Sequence, residues 1–386
     1  MKKLHIKYLL FFALISAMMM SCDDIVTYND GYDNGLTSTG APTIAKISPV
    51  NSRESSITEG ALAQMIVIQG ENLSGVKSIT INDVEVDLTE AYIKAKEIVL
   101  PIPRVLPTTV NNKLVVTTQK GVVSVDFKVV IPDLKLDGLY NDFVNPGDTA
   151  RIEGDFFDLY KVDKANGSVT LGGNKIDIID ATGSEIRVKI PDNAVPGSKI
   201  VISSPLVKTP LELKWRDTGI QLLNYADLGG YNWIWAGANL ITSGSNAGDP
   251  KPLIGYPSYS RVVRSNVAAW DWFVIFGGNT AVNDADVVAH PENYWFKFEI
   301  NTKSSSPLAI GNMIFQLNGG QYSWNPAAGG ISFNTYEKWR TVKLDLKTFM
   351  GDKTIENGRN PFNIIFLNTA LFSCDLSLVN FRIVHK

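Results

Sequence analysis

Cysteine, histidine and net charge are all scarce in this chain of 386 residues, which has two cysteines, three histidines and a formal charge of −3. Two cysteines cannot build a disulfide framework or a cysteine-rich zinc site. A near-neutral balance argues against a nucleic-acid partner held through its phosphates. Of the histidines, His5 lies in the leader discussed below, His290 precedes Pro291, and His385 is the penultimate residue, so a nucleophile triad has little to draw on. No glycine loop has a phosphate-cradling pattern and no histidine pair has metal spacing, so no cofactor and no metal are expected. A three-to-four-residue apolar period is also missing, and Gly, Pro and Asn interrupt too often for long helices. What is present is apolar mass: 45% hydrophobic residues suffice for packed cores and rule out wholesale disorder. At roughly 150 residues per domain, the length allows two or three domains. A binding or structural protein remains, or an enzyme working with carboxylates alone.

The N-terminus reads as a targeting signal. Lys2, Lys3 and Lys7 precede an uncharged run of 13 residues from Tyr8 to Met20, too short to span a bilayer as a helix but suited to a signal-peptide core. It ends at Met20-Ser21-Cys22, which resembles the lipobox of bacterial lipoproteins, in which Cys22 is acylated and becomes the new N-terminus. Two or more acyl chains hold stably where one holds only marginally. Residues 22–41, with Asp23-Asp24 directly after the cysteine, read as an acylated cysteine and a flexible tether. The acidic pair resembles the surface-export signal of Bacteroidota lipoproteins. It implies a lipid anchor on the outer face of the outer membrane.

Beyond the tether the chain repeats itself. Pro42-Thr43-Ile44, the run Met65–Leu73, Val76–Ile81 and Glu97–Pro101 form a ladder of short alternating strands. Pro132-Asp133-Leu134, Ala150–Phe157, Ser168–Leu171 and Glu185–Pro191 follow the same order at a spacing of 85–90 residues, predicting two small β-sandwiches over 42–131 and 132–216. Ile68-x-Gly70-x-Asn72-Leu73 and the strand closing at Pro101 resemble the immunoglobulin-like IPT/TIG module. The second copy is looser, with Gly154-Asp155-Phe156-Phe157 where Gly-x-Asn-Leu would stand. Such modules imply spacers.

Residues 217–386 have a different composition. All eight tryptophans lie at or after Trp215, seven of them between Trp233 and Trp339. Strands are expected over Trp270–Phe276, Tyr294–Ile300, Met313–Asn318, Thr341–Leu346, Phe362–Leu367 and Val379–Val384, with turns at pairs such as Gly277-Gly278, Gly319-Gly320 and Asn357-Gly358. A jelly-roll-type antiparallel sandwich is the natural reading. Trp339 reads as core and Trp215 as packing at the domain junction. Trp233 and Trp235 sit in a glycine-flanked stretch, and their spacing puts both on one face of an extended chain. Trp270 and Trp272 repeat that spacing, while Tyr322 and Trp324 lie in a segment with no apolar alternation to bury them. Uncovered tryptophan is costly unless it serves an interaction. Flat aromatics beside Asn, Asp and Gln suit a sugar, whose C–H face stacks on a ring while its hydroxyls seek polar groups.

Lipobox, acidic tether, tandem IPT-like modules and a terminal aromatic β domain together resemble the surface glycan-binding proteins of Bacteroidota polysaccharide-utilisation (Sus-like) systems. The run Ser260–Phe276 with its Trp-x-Trp, Tyr322-x-Trp324-Asn325-Pro326, and Asn380-Phe381-Arg382-Ile383 carry that likeness. It implies non-catalytic capture of a polysaccharide, most often a β-glucan-type chain such as xyloglucan or mixed-linkage glucan, through Trp233, Trp235, Trp270, Trp272, Tyr322 and Trp324. It also implies two partners, an outer-membrane transporter and its glycan-binding lipoprotein. Two other readings stand beside it. A surface adhesin or scaffold would use the same aromatic patch against a protein. A glycoside hydrolase needs only two carboxylates, for which Asp271, Glu292, Glu299 and Glu337 are available, although each reads more simply as solvated surface charge. Cys374 reads as an idle or buried thiol, and Asn283-Asp284-Ala285-Asp286 as a plain acidic loop in preference to a calcium site.

Overall fold

The computed structural model describes residues 38–228, 233–309 and 312–386. Cys22 and the leader lie outside the described residues. The chain divides into two compact units after Asp133.

The first unit is a sandwich of two four-stranded sheets. One takes the order Thr43–Pro49, Met65–Glu71, Glu97–Pro101, Tyr92–Ile93; the other takes Val84–Glu85, Val76–Ile81, Lys113–Thr118, Gly121–Asp126. Ile66, Ile68, Ile79, Ile98, Leu100, Leu114 and Val116 fill the space between them. The second unit opens with a sandwich of the same strand order. Lys135–Leu139, Thr149–Asp155, Glu185–Lys189 and Ile178–Ala181 form one sheet, and Asn174–Ile176, Ser168–Leu171, Lys199–Ser203 and Leu211–Lys214 the other. The sequence repeat is therefore a repeat of topology.

The loosened motif of the second copy has a physical counterpart. Gly70 and Gly154 sit beside equivalent bulges, where an added Cβ would fall 1.9 Å from the Thr43 carbonyl oxygen and 2.2 Å from that of Lys135. Two residues on, the chain turns left-handed at Asn72 (φ 60°) and at Phe156 (φ 68°). Asparagine accepts that conformation readily, whereas phenylalanine adopts it under constraint. The next side chain, Leu73 or Phe157, is fully buried in either copy.

The rest of the second unit is a larger sandwich. Its strands are β1 (Ile220–Leu223), β2 (Ile234–Ala236), β3 (Ile241–Thr242), β4 (Tyr259–Val267), β5 (Trp272–Val282), β6 (Tyr294–Thr302), β7 (Asn312–Leu317), β8 (Gly320–Trp324), β9 (Arg340–Asp345), β10 (Gly358–Leu367) and β11 (Phe372–His385). One sheet runs β3-β4-β11-β6-β9, with β1 also paired to β11; the other runs β2-β5-β10-β7-β8. All pairings are antiparallel. Six predicted strands are present, most of them longer than expected. Phe276, Phe296, Phe298, Phe315, Phe362 and Phe381 meet in the core with ring centroids about 5–6.3 Å apart. Two five-residue helices, α1 (Ala285–Ala289) and α2 (Leu346–Met350), are capped by Asp284 and Asp345.

The two sandwiches of this unit meet through a buried ionic cluster. On the outer face of the β11 sheet, Arg382 donates to Glu299 (2.9 Å) and to Asp142 of the preceding sandwich (2.8 Å). Lys297 also reaches Asp142 at 2.8 Å. Asn380 and Thr341 donate to Glu299, and the Thr341 amide donates to the Tyr140 carbonyl. Glu299, read from the sequence as solvated charge, is in fact fully buried. Burial acts on Asp142 to raise its pKa, but the Lys297 ammonium and Arg382 guanidinium outweigh it and hold the carboxyl below its ordinary value. For Glu299 burial prevails over Arg382 and the pKa rises. Trp215 is fully buried in the core of the second small sandwich, with its indole N–H on the Val144 carbonyl.

Candidate functional site

The outer face of the β2-β5-β10-β7-β8 sheet carries a different set of residues. Cross-strand partners share a face of a sheet, so its register sorts the side chains. Phe276, Ile364, Phe315 and Tyr322 form one cross-strand row, and Phe273, Phe366, Met313 and Trp324 another; both rows pack toward the core. The alternate rows turn outward: Trp272 with Leu367 and Asn312, Val274 with Ile365, Ile314 and Ser323, and Gly277 with Asn363, Gln316 and Gln321.

Tryptophans edge this outer face. Trp233, Trp235, Trp270 and Trp272 are 60%, 54%, 68% and 53% exposed, values at which a side chain of this size is not core. Trp235 lies on edge strand β2, which pairs with β5 at Gly277 and Gly278. Its ring covers Gly277 so closely that an added Cβ there would lie 2.3 Å from Cε2 and 2.4 Å from Cζ2. The glycine is thus the seat of the ring. Between Trp233 and Trp235, Ile234 points the opposite way and packs on the core. Trp270 stands in the turn before β5 at φ 65°, with its amide on the Asn368 carbonyl. Asn368 ties the same turn together by donating to the carbonyls of Ala268 and Ala370, each at 2.7 Å. Residues 229–232, which include Tyr231, lie outside the described residues.

Tyr322 and Trp324 need correction. Read from the sequence as loop aromatics, they occupy strand β8 and face inward. Trp324 meets Phe298 and Phe333 edge-on at 5.4 and 5.5 Å, and both side chains are half-buried against the core. Asn318 (φ 43°) and Gly319 (φ 82°) form the turn, and Gly320 already pairs with Leu317. This register sets Tyr322 opposite Phe315 and Trp324 opposite Met313, so both aromatics share the core face of those residues. Trp339 packs against the core and donates to the Lys251 carbonyl. Trp295 is flanked by the ammonium groups of Lys386 (4.6 Å) and Lys343 (5.2 Å).

The sequence missed the polar part of the face. Asn363 donates to the Gln316 side-chain oxygen (3.1 Å), and Gln316 donates in turn to that of Gln321 (2.8 Å). Three amides are thus linked across β10, β7 and β8, next to the Trp235 ring on Gly277. A usable signal existed, since Gln316 and Asn363 are polar positions in otherwise apolar strands.

The carboxylates weighed for hydrolysis are engaged separately. Asp271 pairs with Arg264, Glu292 with His290, Glu337 with Lys303, and Glu299 sits in the ionic cluster. Asp284 caps α1, accepting from the amides of Asp286 and Val287, while Asp286 accepts from the Tyr294 hydroxyl. Among the described residues no group of three metal-ligating side chains converges. Burial pushes the Cys374 thiol up to about 11.

Residues 215–385 match the family model of the surface glycan-binding protein B xyloglucan binding domain. An IPT/TIG domain-containing protein of Bacteroides ovatus is 26% identical over 160 residues, 39% of this chain and 31% of that relative, so the match spans about a third of the relative's length. The crystal structure of the surface glycan-binding protein PbSGBP-B from Prevotella bryantii aligns with 90% of this chain and 99% of its own at a TM-score of 0.52 and 18% identity, a likeness of fold. SGBP-B from a complex xyloglucan utilization locus in Bacteroides uniformis aligns over 90% of this chain and all of its own at 14% identity and a TM-score of 0.44.

Proposed function

We propose that this protein captures a polysaccharide at the cell surface without catalysis, and that the outer face bearing Trp233, Trp235, Trp270 and Trp272 is the capture site. The single observation that carries this reading is the set of four uncovered tryptophans at the edge of an amide-bearing sheet. The match of residues 215–385 to a xyloglucan binding domain favours a β-glucan-type chain such as xyloglucan or mixed-linkage glucan as ligand. Cys22 would carry the lipid anchor on the outer membrane, and the captured chain would pass to an outer-membrane transporter and its glycan-binding lipoprotein partner. Each stacked ring contributes about 0.5–1.5 kcal/mol. Three or four rings, offset by ordering costs, give roughly millimolar to micromolar affinity. Weak sites suit the role, since many copies on one surface engage one polymer together.

The test is electrophoresis of residues 23–386 in native gels cast with β-glucans, xyloglucan, mannans, xylans, fructans and α-glucans. Retardation in a β-glucan-type gel is expected. Retardation in none, with one membrane protein recovered in a pulldown insensitive to added sugar, would replace this reading with the adhesin.

A further inference from the structure

The tryptophans explain stacking but not how the face distinguishes one hydroxylated chain from another. We infer that the amide row Asn363–Gln316–Gln321 is the specificity-determining part of the site, and that the glycan lies across the strands along this row, starting from the Trp235 ring. The inference rests on the capture reading above and adds the direction, the length and the polar readers of the ligand.

Three observations carry it. The first is alignment. Gly277, Asn363, Gln316 and Gln321 occupy one cross-strand row, and Trp235 continues it onto the edge strand by covering Gly277. At roughly 4.8 Å between neighbouring strands, the four steps from β2 to β8 span about 19 Å. The spacing between strands is close to the rise of one equatorially linked pyranose in an extended chain, so successive amides meet successive sugars, about four in all.

The second is polarity. Each amide has two N–H donors and one oxygen. Asn363 gives one N–H to Gln316, and Gln316 gives one to Gln321, so one lone pair of each accepting oxygen is engaged and one is free. Left over are four N–H donors, one on Asn363, one on Gln316 and two on Gln321, beside the free lone pairs of the three oxygens. Such a row both donates and accepts, which matches the hydroxyls of a neutral sugar. The mutual bonds also fix the amide orientations before ligand arrives, which lowers the ordering cost of binding.

The third is an unmet acceptor. The Asn363 side-chain oxygen is buried without a hydrogen-bond partner, and it stands at the position that pairs with Gly277, the seat of Trp235. A buried acceptor left in this state is costly. A sugar hydroxyl entering at the Trp235 end would satisfy it, so this end of the row both stacks and accepts.

The test is calorimetric titration of the full mature chain with cello-oligosaccharides of increasing length, alongside Gln316→Ala, Gln321→Ala and Asn363→Ala. Affinity is expected to rise steeply up to about four sugars and then level off. Gln316→Ala and Gln321→Ala should each weaken the longest oligosaccharide at least fivefold while leaving the melting temperature unchanged. The Gln321→Ala variant should lose most of the gain contributed by the last sugar of the row and little for the shortest ligand. Because Asn363 is partly buried, the two glutamines are the decisive variants should Asn363→Ala fail to fold. Unchanged affinity in both glutamine variants, in a chain that still requires Trp235, would overturn this inference alone. A wild-type chain that binds no glycan at all would overturn the capture reading and this one with it.

Discussion

The two sheets of the C-terminal sandwich turn opposite chemistry outward, and each is treated contrary to simple expectation. The β11 sheet presents Lys297, Glu299, Thr341 and Arg382, which from alternation alone should face water, yet a neighbouring sandwich covers them. The β5 sheet presents Trp272 and the Trp235 edge, the most costly residues to leave in water, and they stand exposed. Removing two carboxylates and two cations from water is offset only when each finds its partner, and Asp142 supplies the balancing charge. Exposed tryptophan has no comparable repayment inside the chain, and the capture proposal supplies one in a ligand. The charged face serves assembly, and the proposal assigns the aromatic face to capture.

The sharpest way to break that division is to strike the ionic cluster. Asp142→Ala leaves Arg382 buried with one carboxylate for two cations, and a loss of about 3–5 kcal/mol is expected. Denaturant unfolding of residues 134–386 would measure it, while glycan retardation below the transition should persist. Residues 217–386 alone lack Asp142 and Tyr140 altogether, so they should melt well below residues 134–386, and only the longer fragment should match the whole chain in binding. Next comes the aromatic face. Trp235→Ala should weaken binding at least tenfold, equivalent to about 1.4 kcal/mol, with stability changed by no more than about 0.5 kcal/mol, as for an exposed position. Gly277→Ala should imitate it, because the new methyl displaces the Trp235 ring. Trp324→Ala should do the reverse. Its ring packs on Phe298 and Phe333, so roughly 2 kcal/mol or more of stability should go and affinity should change little.

The smallest effect is that of pH. Asp142 has a folded-state pKa below its ordinary value of 3.8, so its contribution is complete above that value and is lost as pH falls below it. Glu299, whose pKa is raised, acts in the opposite sense, favouring the fold as it protonates on the way down. The two act in separate windows: as pH falls toward 4.5 the melting temperature should rise modestly while Glu299 protonates, and below 3.8 it should fall as Asp142 does. A melting temperature that falls steadily on the way down to pH 4.5 would show that the cluster is not the main titrating contact.

Much of this was legible in the amino-acid sequence where the signal is local. The Ile68-x-Gly70 and Ile152-x-Gly154 motifs mark a bulge that only glycine can occupy, and hence the two small sandwiches. The alternation of Phe362, Ile364 and Phe366 assigns their core face. Trp233, Trp235, Trp270 and Trp272 stood out because apolar residues between glycines and turns have no partner nearby. Tyr322 and Trp324 were misjudged because the alternation Gln321-Tyr322-Ser323-Trp324 is too short to mark a strand, and only pairing with Phe315 and Met313 turns the two rings inward. Glu299 and Arg382 were invisible as a junction because their partner Asp142 lies 240 residues from Arg382, and no local pattern encodes so distant a pairing. The amide row escaped for the same reason: Gln316, Gln321 and Asn363 become a row only when three strands are in register.

The most direct test of the division is the double variant Trp235→Ala, Trp272→Ala of residues 23–386, run in the gel that retards the unmodified chain. Loss of retardation with an unchanged melting temperature is the predicted result. Full retardation in that variant would contradict the account, because the capture site would then lie elsewhere.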